Sequence, residues 1–222
     1  MADGLREKSK NVSKDFKSTN KAAYIAHIVQ VYHKMAKNYD RGEFLAIPLR
    51  KAAVKTAQVK QGDKVLDICT GTGEAAAWFA REGAKVIGID LSPDMLTIAR
   101  SKYPSITFKL MDASELNFSD KFFDVVNVQS GLHDMPVPVI KKTLREMRRV
   151  SRRTVIITEP YVPTDRLLKA LVRYMNFSEF FEAADWKGYT NLDLRKEIQD
   201  SGMKIENETP FALGLFRIYK CR

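Results

Sequence analysis

From Lys21 to Tyr39 the apolar residues Ala22, Ile25, Ile28, Val29, Tyr32, Met35 and Ala36 recur at steps of three and four, the spacing of one face of an amphipathic helix. Leu45 to Val59 reads as a second helix, stopped by the turn cluster Gln61-Gly62-Asp63. The pattern then shortens. Apolar runs at Lys64–Cys69, Lys85–Ile89, Ile106–Met111, Phe123–Val128 and Thr154–Thr158 predict strands, and Ala75–Glu82, Pro93–Lys102 and Val139–Val150 between them predict helices. Ser92 is placed to cap the helix that Pro93 opens. Strands alternating with helices at this spacing predict βαβ units, hence a parallel sheet covered on both faces. A helix from Leu192 to Ser201, closed by Gly202, is followed by Met203–Thr209 and Ala212–Cys221. Those two runs are too close for a crossover helix, so they are expected to pair as an antiparallel hairpin.

Composition narrows the class. A chain of 222 residues with 45% apolar content has room for one well-buried α/β domain, taken here as residues 19–222, with 19–60 forming N-terminal helices over the site. No run approaches the roughly 18 apolar residues of a membrane span, and the first ten residues are charged, so a cytoplasmic location is expected. The two cysteines, Cys69 and Cys221, are far apart and lack metal-ligand spacing, so neither a metal site nor a disulfide scaffold is expected. The net charge of +10 is uneven: residues 1–60 hold 13 Lys/Arg against five Asp/Glu, while the remainder is nearly balanced. Residues 1–18 are read as a flexible basic arm. The alternative use of this charge is docking, on RNA, on a protein substrate or at the periphery of an anionic membrane.

The sharpest chemical signal is Val65-Leu66-Asp67-Ile68-Cys69-Thr70-Gly71-Thr72-Gly73, which runs off the first strand into a helix, with Asp90 ending the second strand 17 residues after Gly73. Glycines at such a turn let a ligand approach the backbone, and a carboxylate beside it can accept both hydroxyls of a ribose. Gly71-Thr72-Gly73-Glu74-Ala75-Ala76 formally fits the dinucleotide fingerprint. Asp67 argues against that use, because it would repel a pyrophosphate. A cofactor with a cationic centre and a free amino group suits it better, and S-adenosylmethionine has both.

Together with Val86-Ile87-Gly88-Ile89-Asp90, Ser92-Pro93-Asp94-Met95-Leu96, Met111-Asp112-Ala113, Phe123-Asp124-Val125-Val126 and Asp200-Ser201-Gly202-Met203, this segment resembles the class I S-adenosylmethionine-dependent methyltransferases over residues 24–222. The resemblance implies a Rossmann-like, seven-stranded, mostly parallel sheet with helices on both faces and the last strand antiparallel between its neighbours. It implies that Asp67 and the backbone of Gly71, Thr72 and Gly73 hold the methionine part, and that Asp90 takes the ribose. Leu91 and Met95 would pack on the adenine, Asp112 and the Ala113 amide would read its edge, and Gln129 would lie near the methionine carboxylate. Asp90, at a strand end, is expected to matter little for the fold.

Within that family the chain is most similar to quinone-biosynthesis C-methyltransferases. Val31 to Asp40 resembles their N-terminal helix, whose Tyr-Asp pair (here Tyr39-Asp40) closes over the cofactor. Ser130-Gly131-Leu132 resembles their Gly-Leu-Arg-Asn segment, with His133-Asp134 in place of Arg-Asn; Thr70 stands for a glycine, and Arg41-Gly42-Glu43-Phe44 replaces an Asn- and Trp-containing segment. His133 is the candidate general base for a small aromatic or apolar acceptor, and the alternative is a histidine that only hydrogen-bonds the backbone or the cofactor. The aromatic stretch from Tyr161 to Tyr189 is the expected acceptor pocket or lid, with Tyr161, Tyr174 and Trp186 as contacts.

Overall fold

The computed structural model describes residues 21–162 and 186–222. The expected basic arm and Tyr174 lie outside the described residues. Two N-terminal helices, α1 (Lys21–Met35) and α2 (Glu43–Ala57), flank a 3₁₀ segment at Ala36–Gly42. There follow β1 (Lys64–Ile68), α3 (Glu74–Arg81), β2 (Lys85–Asp90), α4 (Pro93–Lys102), β3 (Thr107–Leu110), β4 (Phe123–Gln129), α5 (Val137–Val150) and β5 (Ser151–Pro160). The chain closes with α6 (Trp186–Asn191), α7 (Leu194–Asp200), β6 (Ile205–Phe211) and β7 (Phe216–Cys221).

The seven strands lie in the order β3-β2-β1-β4-β5-β7-β6. Pairings from β3 through β5 are parallel, and β7 runs antiparallel to both β5 and β6, as expected from the resemblance. Side chains alternate across the pleat. Leu66, Ile68, Val126, Val128, Val155 and Ile157 pack with Ile140, Leu144 and Met147 of α5 and with Tyr24 and Ile28 of α1. Val65, Val125 and Ile156 face the other way, onto Leu49 and Ala53 of α2 and Phe79 of α3. Each central strand is therefore buried on both sides, which is why these runs read as continuous apolar stretches.

Several boundaries differ from the sequence reading. The first helix stops at Met35 and tightens into 3₁₀ geometry, so Tyr39 and Asp40 leave the helical face. The fifth strand extends beyond Thr158 to include Glu159 and Pro160, both buried. The helix expected at 192–201 is α7, which starts two residues later because Asp193 takes extended backbone and caps it by accepting from the Lys196 amide; the short α6 before it was not expected. None of the described helices is long and apolar enough to cross a membrane.

Candidate functional site

The order of strands reverses between β1 and β4, and at such a switch point the carboxyl ends of the strands open a crevice. Asp67 pairs in register with Gly88 of β2 and Asn127 of β4, so Asp67, Asp90, Gln129 and Glu159 all arrive at the same edge. Two adjoining cavities occupy it. A narrow cleft of about 60 Å³ is lined by Leu91, Met95, Asp90, Asp112 and Ala113, under Tyr24 and Ile28 of α1. A larger cavity of about 760 Å³ is lined by Asp67, Thr72, Arg50, His133 and Phe216. Tyr39, Gly71, Gln129 and Asp134 border both.

The loop after β1 is built for close approach. Cys69 and Ser130, at the ends of β1 and β4, both take left-handed backbone (φ 54° and 53°). Gly73 has φ 87°, and a Cβ there would sit 2.8 Å from the Phe108 ring, so this glycine serves helix–strand packing. It lines neither cavity, and its amide donates to the Thr70 carbonyl at 2.9 Å. Gly71 is the open position: a Cβ there would meet only Tyr39, at 3.9 Å.

Four polar side chains define the chemistry. Asp67 is fully buried; its carboxylate accepts from Thr70 Oγ1 at 2.5 Å and Asn127 Nδ2 at 2.7 Å, and burial outweighs these bonds, pushing its pKa up to about 6. Asp90 accepts from the Gly71 amide on one oxygen and the Ser92 amide on the other, both at 2.9 Å, and burial raises its pKa as well. Asp90 thus ties the β1 and β2 loops together. The expectation that it matters little for the fold is corrected by those two bonds. Asp112 accepts from the Ser114 amide and pairs with Lys21 at 2.8 Å; burial opposes its charge, but Lys21 and Ser114 together outweigh it and lower the pKa. Gln129 Oε1 is buried without a hydrogen-bond partner among the described residues.

This acceptor-rich set fits a ligand that brings its own donors and a positive centre. An orphaned amide oxygen and an ionisable buried carboxylate suit an ammonium group, Asp90 has lone pairs left for a diol, and Leu91 and Met95 offer an apolar slot. A pyrophosphate would face three carboxylates. The residues therefore fit S-adenosylmethionine better than a dinucleotide.

The 3₁₀ turn at Leu132–Asp134 holds a network that sequence reasoning found only in part. Glu159, fully buried at the end of β5, accepts from the amides of Gly131 and Leu132 at 2.9 and 2.8 Å, and lies 2.8 Å from His133 Nδ1. His133 Nε2 is 3.6 Å from Asp134 Oδ1, and Tyr32 of α1 donates to Asp134 Oδ2 at 2.5 Å. Burial pulls the His133 pKa down, but the Asp134 charge and the Glu159 bond outweigh it and leave the group above its ordinary value. Tyr32 reads in the sequence as one more core position of α1, and Glu159 falls just past the expected strand. The one signal for Glu159 is an acid closing an otherwise apolar run.

The acceptor contacts divide. Trp186 meets the His133 ring edge-on at 6.3 Å and stacks on Tyr189, though it lines neither cavity itself. Tyr161 lies under the Arg217 guanidinium at 3.7 Å and lines neither cavity. Asp40 latches the N-terminal segment down, accepting from Thr72 Oγ1 at 2.7 Å and from Lys102 at 2.8 Å. Among the described residues no group of three His, Cys, Asp or Glu is placed to hold a metal ion.

Residues 65–154 match the family described as "Methyltransferase domain". The demethylmenaquinone methyltransferase of Chlorobaculum parvum is 39% identical over 124 residues, 54% of this chain and 51% of the relative. The ubiquinone/menaquinone biosynthesis C-methyltransferase UbiE of Bdellovibrio bacteriovorus is 38% identical over 137 residues, 56% of this chain and 57% of the relative. The chain thus spans little more than half the length of these relatives. Among solved structures, an S-adenosylmethionine-dependent methyltransferase from Mesorhizobium loti superposes with a TM-score of 0.59 at 19% identity, covering 77% of this chain and 96% of that one. The [4+2]-cyclase SpnF superposes with a TM-score of 0.62 at 16% identity, covering 79% of this chain and 80% of that one. These two likenesses speak to the fold alone, and the second shows that this fold also hosts another chemistry.

Proposed function

We propose that this chain, which carries a methyltransferase domain over residues 65–154, transfers a methyl group from S-adenosylmethionine to a small aromatic acceptor of the quinone type. The observation that carries the reading is the pair of adjoining cavities bridged by Tyr39, Gly71 and Gln129, one narrow and adenine-like in its lining, the other large enough for an acceptor. When bound, S-adenosylmethionine supplies a methyl group on a sulfonium, an electrophile that a nucleophile displaces in line and that leaves a neutral thioether behind.

The chain's own residues do the positioning. Asp67 and Gln129 Oε1 would hold the amino group, Asp90 the ribose hydroxyls, and Asp112 with the Ala113 amide the adenine edge, with Leu91 and Met95 on its faces. α1 and the 3₁₀ segment close the cleft, excluding water from a cationic centre that water would otherwise solvate. Holding the two reactants together is itself worth several kcal/mol of barrier, on the order of 7–11 kcal/mol in well-oriented systems. His133, at the wall of the larger cavity, stands beside the acceptor as its base. Quinone-type acceptors are proposed from the named activity of the relatives and from the Ser130–Leu132 resemblance.

Incubation with methyl-labelled S-adenosylmethionine and a short-tailed demethylmenaquinol is the test. Label in the naphthoquinol ring supports the reading; label in RNA or protein instead, with none in the quinol, supports the docking-arm alternative and overturns the small-acceptor reading.

A further inference from the structure

Glu159 is a carboxylate that the cofactor site does not use. It has no exposed surface, yet four groups converge on it: the amides of Gly131 and Leu132 on Oε1, and the amide of His133, at 3.4 Å, with the Nδ1 side of its ring on Oε2. Two backbone amides are aimed at one of its oxygens, and a carboxylate is acceptor-only. An ionised carboxylate 2.8 Å from Nδ1 requires the proton on that nitrogen, so the basic lone pair of the neutral ring belongs to Nε2. The imidazole is fixed in direction as well, by edge-type contacts with the stacked pair Trp186 and Tyr189 of α6. Around the ring, Asp134 lies on its own turn, Tyr32 of α1 reaches it through Asp134, and Cys69 at the end of β1 feels the charges of both Glu159 and Asp134.

We infer that Glu159 is a positioning residue that holds His133 as the Nδ1–H tautomer, so that Nε2 takes the hydroxyl proton of the acceptor, and that the acceptor is a phenol, enol or hydroquinol. This rests on the methyl-transfer reading and names the substrate class of that site. In the step the acceptor O–H bond breaks with its electron pair left on oxygen, and the proton bonds to the Nε2 lone pair. The imidazolium so formed sits between Glu159 and Asp134, whose charges balance it, and the oxyanion is the stronger nucleophile. A hydroxyl is the fitting source because its proton is acidic enough for an imidazole flanked by two carboxylates, whereas a ring C–H proton is not.

The first test needs no cofactor. The full chain holds three histidines, so an NMR titration with ¹⁵N-labelled imidazoles resolves His133 once a His133→Asn variant has assigned it. The expected result is a neutral form protonated on Nδ1 with a midpoint above 6.5, and a Glu159→Gln variant that reverses it. Its amide oxygen keeps the Gly131 and Leu132 donors, its NH₂ gives up the long bond from the His133 amide, and that NH₂ turned toward Nδ1 forces the Nε2–H tautomer and a lower midpoint. An Nε2–H tautomer in the native protein overturns the inference, and this measurement stands even where the Gln variant does not fold. The second test uses 1,4-naphthohydroquinone and its dimethyl ether as probes. Methylation of the hydroquinone alone, falling about 100-fold in kcat in Glu159→Gln while S-adenosylhomocysteine affinity stays within about threefold, is expected. Equal methylation of the ether, or of neither probe, overturns the substrate class. Failure of the native chain to bind S-adenosylhomocysteine strikes the methyl-transfer reading instead, and the tautomer result does not depend on it.

Discussion

At Asp67 the demands of folding and of binding point in opposite directions. Its native pKa of about 6 exceeds the reference value of 3.8, so between those values the folded chain binds more protons than the unfolded one. Stability therefore falls as pH rises through that window, and above it the ionised carboxylate carries its full burial cost. Holding an ammonium group requires that ionised form. Affinity for S-adenosylhomocysteine is accordingly expected to rise between pH 5 and 7 with a midpoint near 6, and Asp67→Asn to flatten the profile while melting higher than the native protein at pH 7. Calorimetry and thermal melts across pH check both. Asp90 behaves differently because it also closes two backbone hydrogen bonds. Asp90→Ala is expected to weaken cofactor binding about tenfold or more and to lower stability by about 1–3 kcal/mol for each stranded amide. Asp90→Asn, which keeps one acceptor, should fall between; an unchanged affinity would remove Asp90 from the site.

Among the elements, the βα units were the most legible. Their strands are buried on both faces and their helices on one, so the change from short continuous apolar runs to an apolar stripe at steps of three and four survives in the sequence. Ser92 illustrates this: its hydroxyl caps α4 by accepting from the Met95 amide, as its position before Pro93 implied. Ser92→Ala is expected to cost about 1 kcal/mol in denaturant titrations. Gly73→Ala should cost about 1–3 kcal/mol, since it meets both a left-handed backbone and the Phe108 ring. Less was legible where function depends on contacts far apart in sequence. The break at Met35, which turns Tyr39 and Asp40 toward Gly71 and Thr72, follows from packing against a loop thirty residues on. Tyr32 and Asp134 are 102 residues apart, and neither has a local signal that it faces the other. Tyr161 shows a different limit: its aromatic neighbourhood suggested a pocket, and among the described residues the Arg217 guanidinium lies over its ring.

For the molecule as a whole, the seven-stranded sheet places every carboxylate of the candidate site at one edge and leaves the balancing positive charge largely to the N-terminal region. If residues 1–18 act only as an arm, deleting them should leave S-adenosylhomocysteine affinity within a few-fold, measured at two salt concentrations. The fold neighbours include both a methyltransferase and a cyclase, so the sheet does not choose the chemistry and the donor set must. Calorimetric titration of the native chain with S-adenosylhomocysteine and, separately, with NAD tests that choice most directly. Saturable one-to-one binding of S-adenosylhomocysteine, weakened in Asp67→Asn, with no heat from NAD, is the expected result; tight binding of NAD with none of S-adenosylhomocysteine would contradict the account.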